Sequence, residues 1–153
     1  MPKIDITSPY DLSLQTVDII IVKKDHNENI THILLGKRNS QAGWRFPGGF
    51  VDVKDNSLEE AAKRELIEEC SINLETNKLT YIGSLRIDDP RYRESPHKIM
   101  TALFVGTHLF GHVIPTDDLD EIKYFDFSND IIKFLEPEHK KIFEFFKGKL
   151  NEK

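Results

Sequence analysis

Ser57-Leu58-Glu59-Glu60-Ala61-Ala62-Lys63-Arg64-Glu65-Leu66-Ile67-Glu68-Glu69-Cys70 reads as one helix whose inward face decides how the chain folds. Ser57 is a good N-cap, and Glu60 three residues later completes a Ser-x-x-Glu capping box, so the start is well specified. Advancing 100° per residue, Leu58, Ala62, Glu65 and Glu69 fall within a wedge of about 60°. Ala61 and Leu66 flank that wedge, while Glu60, Lys63 and Ile67 point elsewhere. Two acids therefore share the small, apolar face that should pack inward. Glu68 lies about 60° from Glu65, at the edge of the same side.

Such an arrangement is costly. Burying a lone carboxylate is strongly unfavourable, and like charges at i and i+4 repel even in water. Two readings follow from the spacing. One is a solvated charged face, since glutamate is a good helix former and Glu-rich helices are common. The other is a cluster held by a cation, for which carboxylate oxygens suit hard ions such as Mg²⁺ or Mn²⁺.

Immediately upstream, Arg45-Phe46-Pro47-Gly48-Gly49-Phe50-Val51 carries a Gly-Gly pair, which lets the main chain approach a neighbour closely. Farther out, residues 16–23 and 32–37 read as strands rich in Ile and Val, separated by a polar turn, and residues 39–44 as a loop. Strands are expected over 79–87, 99–108 and 122–127, with a charged loop over 88–98. Closing helices are expected over 131–135 and 138–149, with Pro137 at the first-turn position of the second. Strands with one early helix and helices at the end fit an α/β or α+β sandwich better than a strictly alternating parallel sheet. No repeat, low-complexity tract or linker divides residues 1–153, so a single domain is expected.

Hydrophobic residues at 39% and charged residues at 31% describe an ordinary globular chain, not a disordered one. The longest apolar run, from Ile19 to Val22, is far short of the roughly 20 residues that a membrane span needs, so no membrane association is expected. No secretory signal is read at the N-terminus and the lone Cys70 can form no internal disulfide, so a cytoplasmic location is expected. Cys70, at the helix end beside the apolar stripe, reads as a buried small hydrophobe. His97, His112 and His139 form no metal-ligand spacing and are assigned no role. The net charge of −5 argues against a backbone-binding nucleic-acid protein and raises a question about any anionic substrate. Bound divalent cations would offset that repulsion.

The segment from Gly48 to Ile72 resembles the Nudix box, G-x5-E-x7-R-E-U-x-E-E-x-G-U with U aliphatic. Gly49, Arg64, Glu65, Leu66, Glu68, Glu69 and Ile72 match it. Three departures stand out: Asp55 or Asn56 replaces the box glutamate, the spacing to Arg64 is one residue longer, and Ser71 replaces the late glycine. The resemblance implies a Nudix-type α/β/α sandwich with a mixed β-sheet. It also implies metal-dependent hydrolysis of a pyrophosphate bond, with one to three Mg²⁺ ions (or Mn²⁺) held by Glu65, Glu68 and Glu69. A backbone carbonyl at Gly48 or Gly49 is a further ligand on this reading. Arg64 is expected to pair with loop acids such as Asp55. Glu65 can also serve as general base, and so can an acid of the late loop (Asp117, Asp118, Asp120 or Glu121), for each of which a solvated loop is the plainer reading.

For the substrate, the stretch from Arg86 to Arg93 and then Lys98 to Thr101 looks like ADP-ribose pyrophosphatases, as do Thr16-Val17-Asp18-Ile19-Ile20 and Asp120-Glu121 with Tyr124-Phe125. ADP-ribose, cut to AMP and ribose 5-phosphate, is the first expectation. A nucleoside-triphosphate pyrophosphatase and a non-catalytic nucleotide-binding Nudix domain are the alternatives. The partner is then a small-molecule nucleotide rather than a nucleic acid, and the resemblance allows a homodimer. Arg38, Arg45, Arg91 and Arg93 are candidate phosphate or ribose ligands, because the guanidinium fork donates two bonds at once. Trp44, Phe46, Tyr92 and Phe125 are candidates to stack a base, with core packing the default for Phe46 and Phe125.

Overall fold

The computed structural model describes residues 9–108 and 111–152, with the Arg91 side chain also outside the described part. Its longest strand, β1 (Ser13–Lys24), explains why Ile19-Ile20-Ile21-Val22 is uninterrupted: both faces of the strand are covered. Val17, Ile19 and Ile21 point into one core, shared with Ala61, Ala62, Leu66 and Cys70 of helix α1 (Leu58–Cys70). Ile20 and Val22 point into the other, shared with Ile142, Phe143 and Phe146 of helix α2 (Pro137–Leu150).

Around β1 the remaining strands are β2 (Ile30–Lys37), β3 (Gly48–Phe50), β4 (Thr80–Ile87), β5 (Lys98–Thr107) and β6 (Glu121–Asp126). They form one six-stranded sheet in which five follow the order β4-β5-β1-β2-β6 and β3 pairs with β1 off that path. β1 runs parallel to β5, and the other pairings are antiparallel, which makes the sheet mixed. The C-terminal end of β1 pairs with β2, and Thr16, Val17 and Asp18 near its start pair with β3. With a helix on each face the result is the expected α/β/α sandwich with a mixed sheet.

The strand and helix boundaries expected from the sequence hold to within a few residues. Two differences have physical causes. The segment expected as a helix over 131–135 is a 3-10 turn, Asn129–Phe134, capped by the Ser128 hydroxyl and stopped by the extended backbone before Pro137. The three-residue β3 is not among the strands expected from the sequence. Its ladder is made by main-chain groups of two glycines, so no side-chain alternation announces it. Among the described residues, no helix is long and apolar enough to cross a membrane.

Candidate active site

α1 starts where the sequence places it. The Ser57 hydroxyl accepts from the Glu60 amide at 3.0 Å, and the Glu60 carboxylate reaches back to the Asn56 amide at 2.9 Å, one residue earlier than in the usual reciprocal box. From that start the helical phase buries Ala61, Ala62, Glu65, Leu66, Glu69 and Cys70. The inward wedge is therefore real, acids included: Glu65 is 7% exposed and Glu69 only 2%. Glu68, on the rim, is exposed.

The glycine pair of β3 meets these acids. The Gly48 amide donates to Glu69 Oε1 at 2.8 Å. Gly49 leaves its Cβ space to the Glu65 carboxylate, and Gly48 lies tight against the Val17 carbonyl of β1. Neither position tolerates a side chain without displacing something.

Arg64 joins the whole arrangement. Its guanidinium donates through Nε and Nη2 to Asp55 at 3.0 and 2.8 Å, through Nη2 to the Phe50 carbonyl at 3.0 Å, and through Nη1 to Glu65 at 3.0 Å and Glu68 at 3.1 Å. The pairing with Asp55 is the one expected. The contacts to Glu65 and Glu68 were not foreseen, because Arg64 sits on the neighbouring face and reaches over the helix rim.

Burial sets the electrostatics. Desolvation pushes the Glu65 carboxyl up to about 7 despite Arg64, and Glu69 up to about 8 despite the Gly48 amide. The Arg64 hydrogen bonds hold Asp55 below its ordinary value. Arg38 and Arg45, 8% and 7% exposed, lend positive charge to Glu69. Arg45 also donates to Gln41 at 3.3 Å, and Arg38 lies 3.9 Å from Asp118.

The late loop also belongs here. Thr116 is latched to the end of α1 by its amide on the Glu69 carbonyl at 3.0 Å and by its hydroxyl on the Glu68 carbonyl. That latch sets Asp117, in left-handed backbone with φ 55°, where its charge acts on Glu65. Asp118 faces Arg38, and Asp120 accepts from the Asn39 amide at 2.7 Å. Glu121 opens β6. No local sequence signal predicts the latch, since it joins positions far apart in the chain.

Other expected residues lie apart from the glutamates in their contacts. Trp44 packs edge-on against Phe125 at 4.9 Å, with its amide on the Phe134 carbonyl and Lys123 over its ring. Phe46 is fully buried core, and Tyr92 stands edge-on to Phe50 at 5.6 Å. Arg93 pairs with Asp88 on the surface at 3.1 Å. The Arg91 candidate falls on a side chain outside the described residues.

Whether this site suits a divalent ion is a question of donor chemistry. Among the described residues no three acid, imidazole or thiol groups already converge as a finished metal cage. What is present is a set of hard oxygen donors, two of them buried, that demand positive charge: the Arg64 guanidinium bridges Glu65 and Glu68 as a cation. By donor type, these hard carboxylate oxygens are of the kind that suits a hard divalent ion.

Residues 13–146 match the NUDIX domain, and the chain belongs to the Nudix family. Over 79 residues it is 40% identical to the U8 snoRNA-decapping enzyme of Xenopus laevis, a match covering 50% of this chain and 34% of that protein. The chain thus spans about a third of the length of that relative. Its fold is similar to the NUDIX domain of Shewanella oneidensis NrtR solved with ADP ribose (TM-score 0.71, 20% identity, 94% of each chain covered). It is also similar to a bifunctional NMN adenylyltransferase/ADP ribose pyrophosphatase of Francisella tularensis solved with AMP and a Mn ion (TM-score 0.69, 21% identity, 93% of this chain and 43% of that one).

Proposed function

We infer that this chain hydrolyses a pyrophosphate bond in a nucleoside diphosphate derivative, ADP-ribose first, releasing AMP and ribose 5-phosphate. The observation that carries the reading is the burial of Glu65 and Glu69 against Gly48 and Gly49 of β3, an acid pair that the fold holds in place at an energetic cost. Glu65, Glu68 and Glu69 would hold Mg²⁺ or Mn²⁺, with the carbonyl of Gly49 or Gly48 as a main-chain donor. Such an ion, when bound, neutralises phosphate charge and acidifies water. The chain's own part is positional. α1 and the glycines of β3 fix the donors, Arg64 anchors the loop before α1, and buried Arg38 and Arg45 place positive charge beside Glu69 for the substrate's phosphates. Glu65 or Asp117 takes the proton of the attacking water. Two structurally similar proteins solved with ADP ribose and with AMP support an adenine nucleotide.

A second reading, hydrolysis of a capped RNA end, is favoured by the 40% identity to a decapping enzyme across half of this chain. The net charge of −5 weighs against it. A Mg²⁺-dependent hydrolysis screen decides: ADP-ribose, NADH, diadenosine polyphosphates, nucleoside triphosphates and a capped oligonucleotide, each with the Glu69→Gln variant alongside. ADP-ribose turning over fastest supports the first reading, and the capped oligonucleotide leading supports the second. No metal-dependent turnover of any of them sinks both.

A further inference from the structure

Where α2 ends at Leu150, a cavity of about 540 Å³ lies between its last turns and the sheet. Val22 of β1, Ile82 of β4 and Val105 of β5 line it, with Phe127 and Phe146 as aromatic wall. Thr80 is the cross-strand partner of Val105, and Ile30 that of Lys24, so one face of four neighbouring strands takes part. Val22 and Phe146 are buried, but Ile82, Val105, Phe127 and Leu150 are only half-covered although they pack against the core. Lys24, Glu28, Asn29 and Thr80 are exposed, so the cavity opens to solvent.

This place is separate from the glutamates. Val22 and Lys24 lie beyond Asp18 on β1 by about 13 and 20 Å at strand rise, and Asp18 is where β1 meets Gly48. α1, which carries Glu65 and Glu69, packs on the opposite face of the sheet.

Volume and lining decide what it can hold. Clefts that take small molecules run from about 300 to about 1,000 Å³, apolar for the most part with a few polar groups that fix orientation. Here the polar charge is mainly positive: Lys24 and Lys149 against Glu28. Lys24 pairs with Glu28 and Lys149 with Glu152, each at 3.6 Å, but the two carboxylates are 81% and 66% exposed. Pairs of that kind contribute little, so an incoming anion exchanges them cheaply. A cationic head would meet two like charges. No described lining residue is an arginine, whose fork would favour a phosphate; two ammonium groups serve a compact carboxylate.

We propose that this cavity binds a small amphipathic carboxylate, its apolar body on Val22, Ile82, Val105 and Phe127 and its head at Lys24 and Lys149. The site stands apart from the hydrolase reading and does not depend on it.

The test is calorimetric binding of octanoate, octanol and octylamine to the full chain, three ligands with one body and different heads. Octanoate is expected to bind at least ~10-fold more tightly than octylamine. The double variant Lys24→Gln, Lys149→Gln should cost octanoate at least ~10-fold and leave octanol unchanged. Thr80→Trp, an exposed strand position that accepts an aromatic, should fill the cavity and abolish binding of all three. Mg²⁺-dependent turnover should be the same in these variants as in wild type, since none touches the glutamates. No saturable octanoate binding, equal binding of octylamine, or wild-type octanoate affinity in either variant overturns the proposal. So does a dimer in light scattering that Thr80→Trp dissociates, which would give the cavity to a second copy of the chain. Should thermal melting show that Thr80→Trp does not fold, the lysine variant with the three ligands decides.

Discussion

Gly49 and Glu65 share one space: a Cβ on Gly49 would lie 2.6 Å from Glu65 Oε1. The atom in the way is the tip of a flexible side chain, so Gly49→Ala should leave the fold intact and evict the carboxylate. Gly48 is the opposite case, because its Cβ would meet the Val17 carbonyl at 2.1 Å, and a strand main chain cannot step aside. The expected outcome is a separation of effects. Gly49→Ala loses at least ~10-fold in Mg²⁺ affinity with little change in Tm, whereas Gly48→Ala destabilises by about 3 kcal/mol or more. Metal titration and thermal melts of the two variants make the comparison, and equal effects on both readouts would count against the assignment of Glu65.

Glu69→Gln keeps an oxygen for the Gly48 amide and removes the charge. If Glu69 holds the ion as proposed, turnover should fall at least ~100-fold, since a metal-ligand acid contributes several kcal/mol to the transition state. The metal-free protein should melt no lower than wild type at about pH 8, because a buried carboxylate has been replaced by a neutral amide. Near-normal turnover would refute the role given to Glu69.

The raised acids make a pH prediction whose sign can be worked out. Glu65 stands near 7 and Glu69 near 8, against an ordinary 4.5, and Asp18 near 7 against 3.8. Over that range the native chain binds more protons than the unfolded one, so stability falls as pH rises. Asp55 acts in the opposite direction, but only below its ordinary value of 3.8. The Tm of metal-free protein should therefore drop between about pH 5 and 8. Millimolar Mg²⁺ should restore it most at the upper end, where the ligands have already lost their protons. A Tm that rises with pH in chelator would contradict the burial argument.

How far the sequence reached follows from which interactions are local. Helix phase put Glu65 and Glu69 inward, and the Ser57 cap fixed where the helix begins, because both depend on residues within a few positions of each other. The pairing of Arg64 with Asp55 was foreseen from neighbouring segments. By contrast, the Thr116 latch on α1 and the Asp18–Gly48–Glu69 sequence of contacts depend on strand register between distant segments, which no local pattern encodes. Trp44 reads from the sequence as a candidate to stack a base. Its partner Phe125 comes from a strand more than 80 residues away, and that contact is legible only once β6 is placed on β2.

Ser71 replaces the glycine of the box, and it adopts the left-handed conformation that glycine would take, with φ 58° and ψ 29°. Its amide closes on the Ile67 carbonyl and the Ile72 amide on that of Leu66, so the helix exit is kept. A side chain there is strained by about 1 kcal/mol, part of which glycine returns as extra freedom of the unfolded chain. Ser71→Gly should stabilise by about 0.5 kcal/mol, read as a small rise in denaturation midpoint at unchanged m-value. Destabilisation would mean that the hydroxyl has a partner the strain argument omits.

Arg64→Lys tests whether the guanidinium acts as a charge or as a shaped joint. Lysine keeps the positive charge near Glu65 and Glu68 but cannot reach Asp55 through two nitrogens while also holding the Phe50 carbonyl. If charge alone mattered, the substitution would be nearly silent. Its contacts argue otherwise, because they tie the loop at Asp55, the end of β3 and the rim of α1 into one unit. The expected result is a loss of about 2 kcal/mol in stability, together with weaker Mg²⁺ binding as β3 loosens from the helix. Denaturant melts and metal titration of the same variant separate the two effects. Unchanged stability with normal metal affinity would show that the loop is held by something other than Arg64.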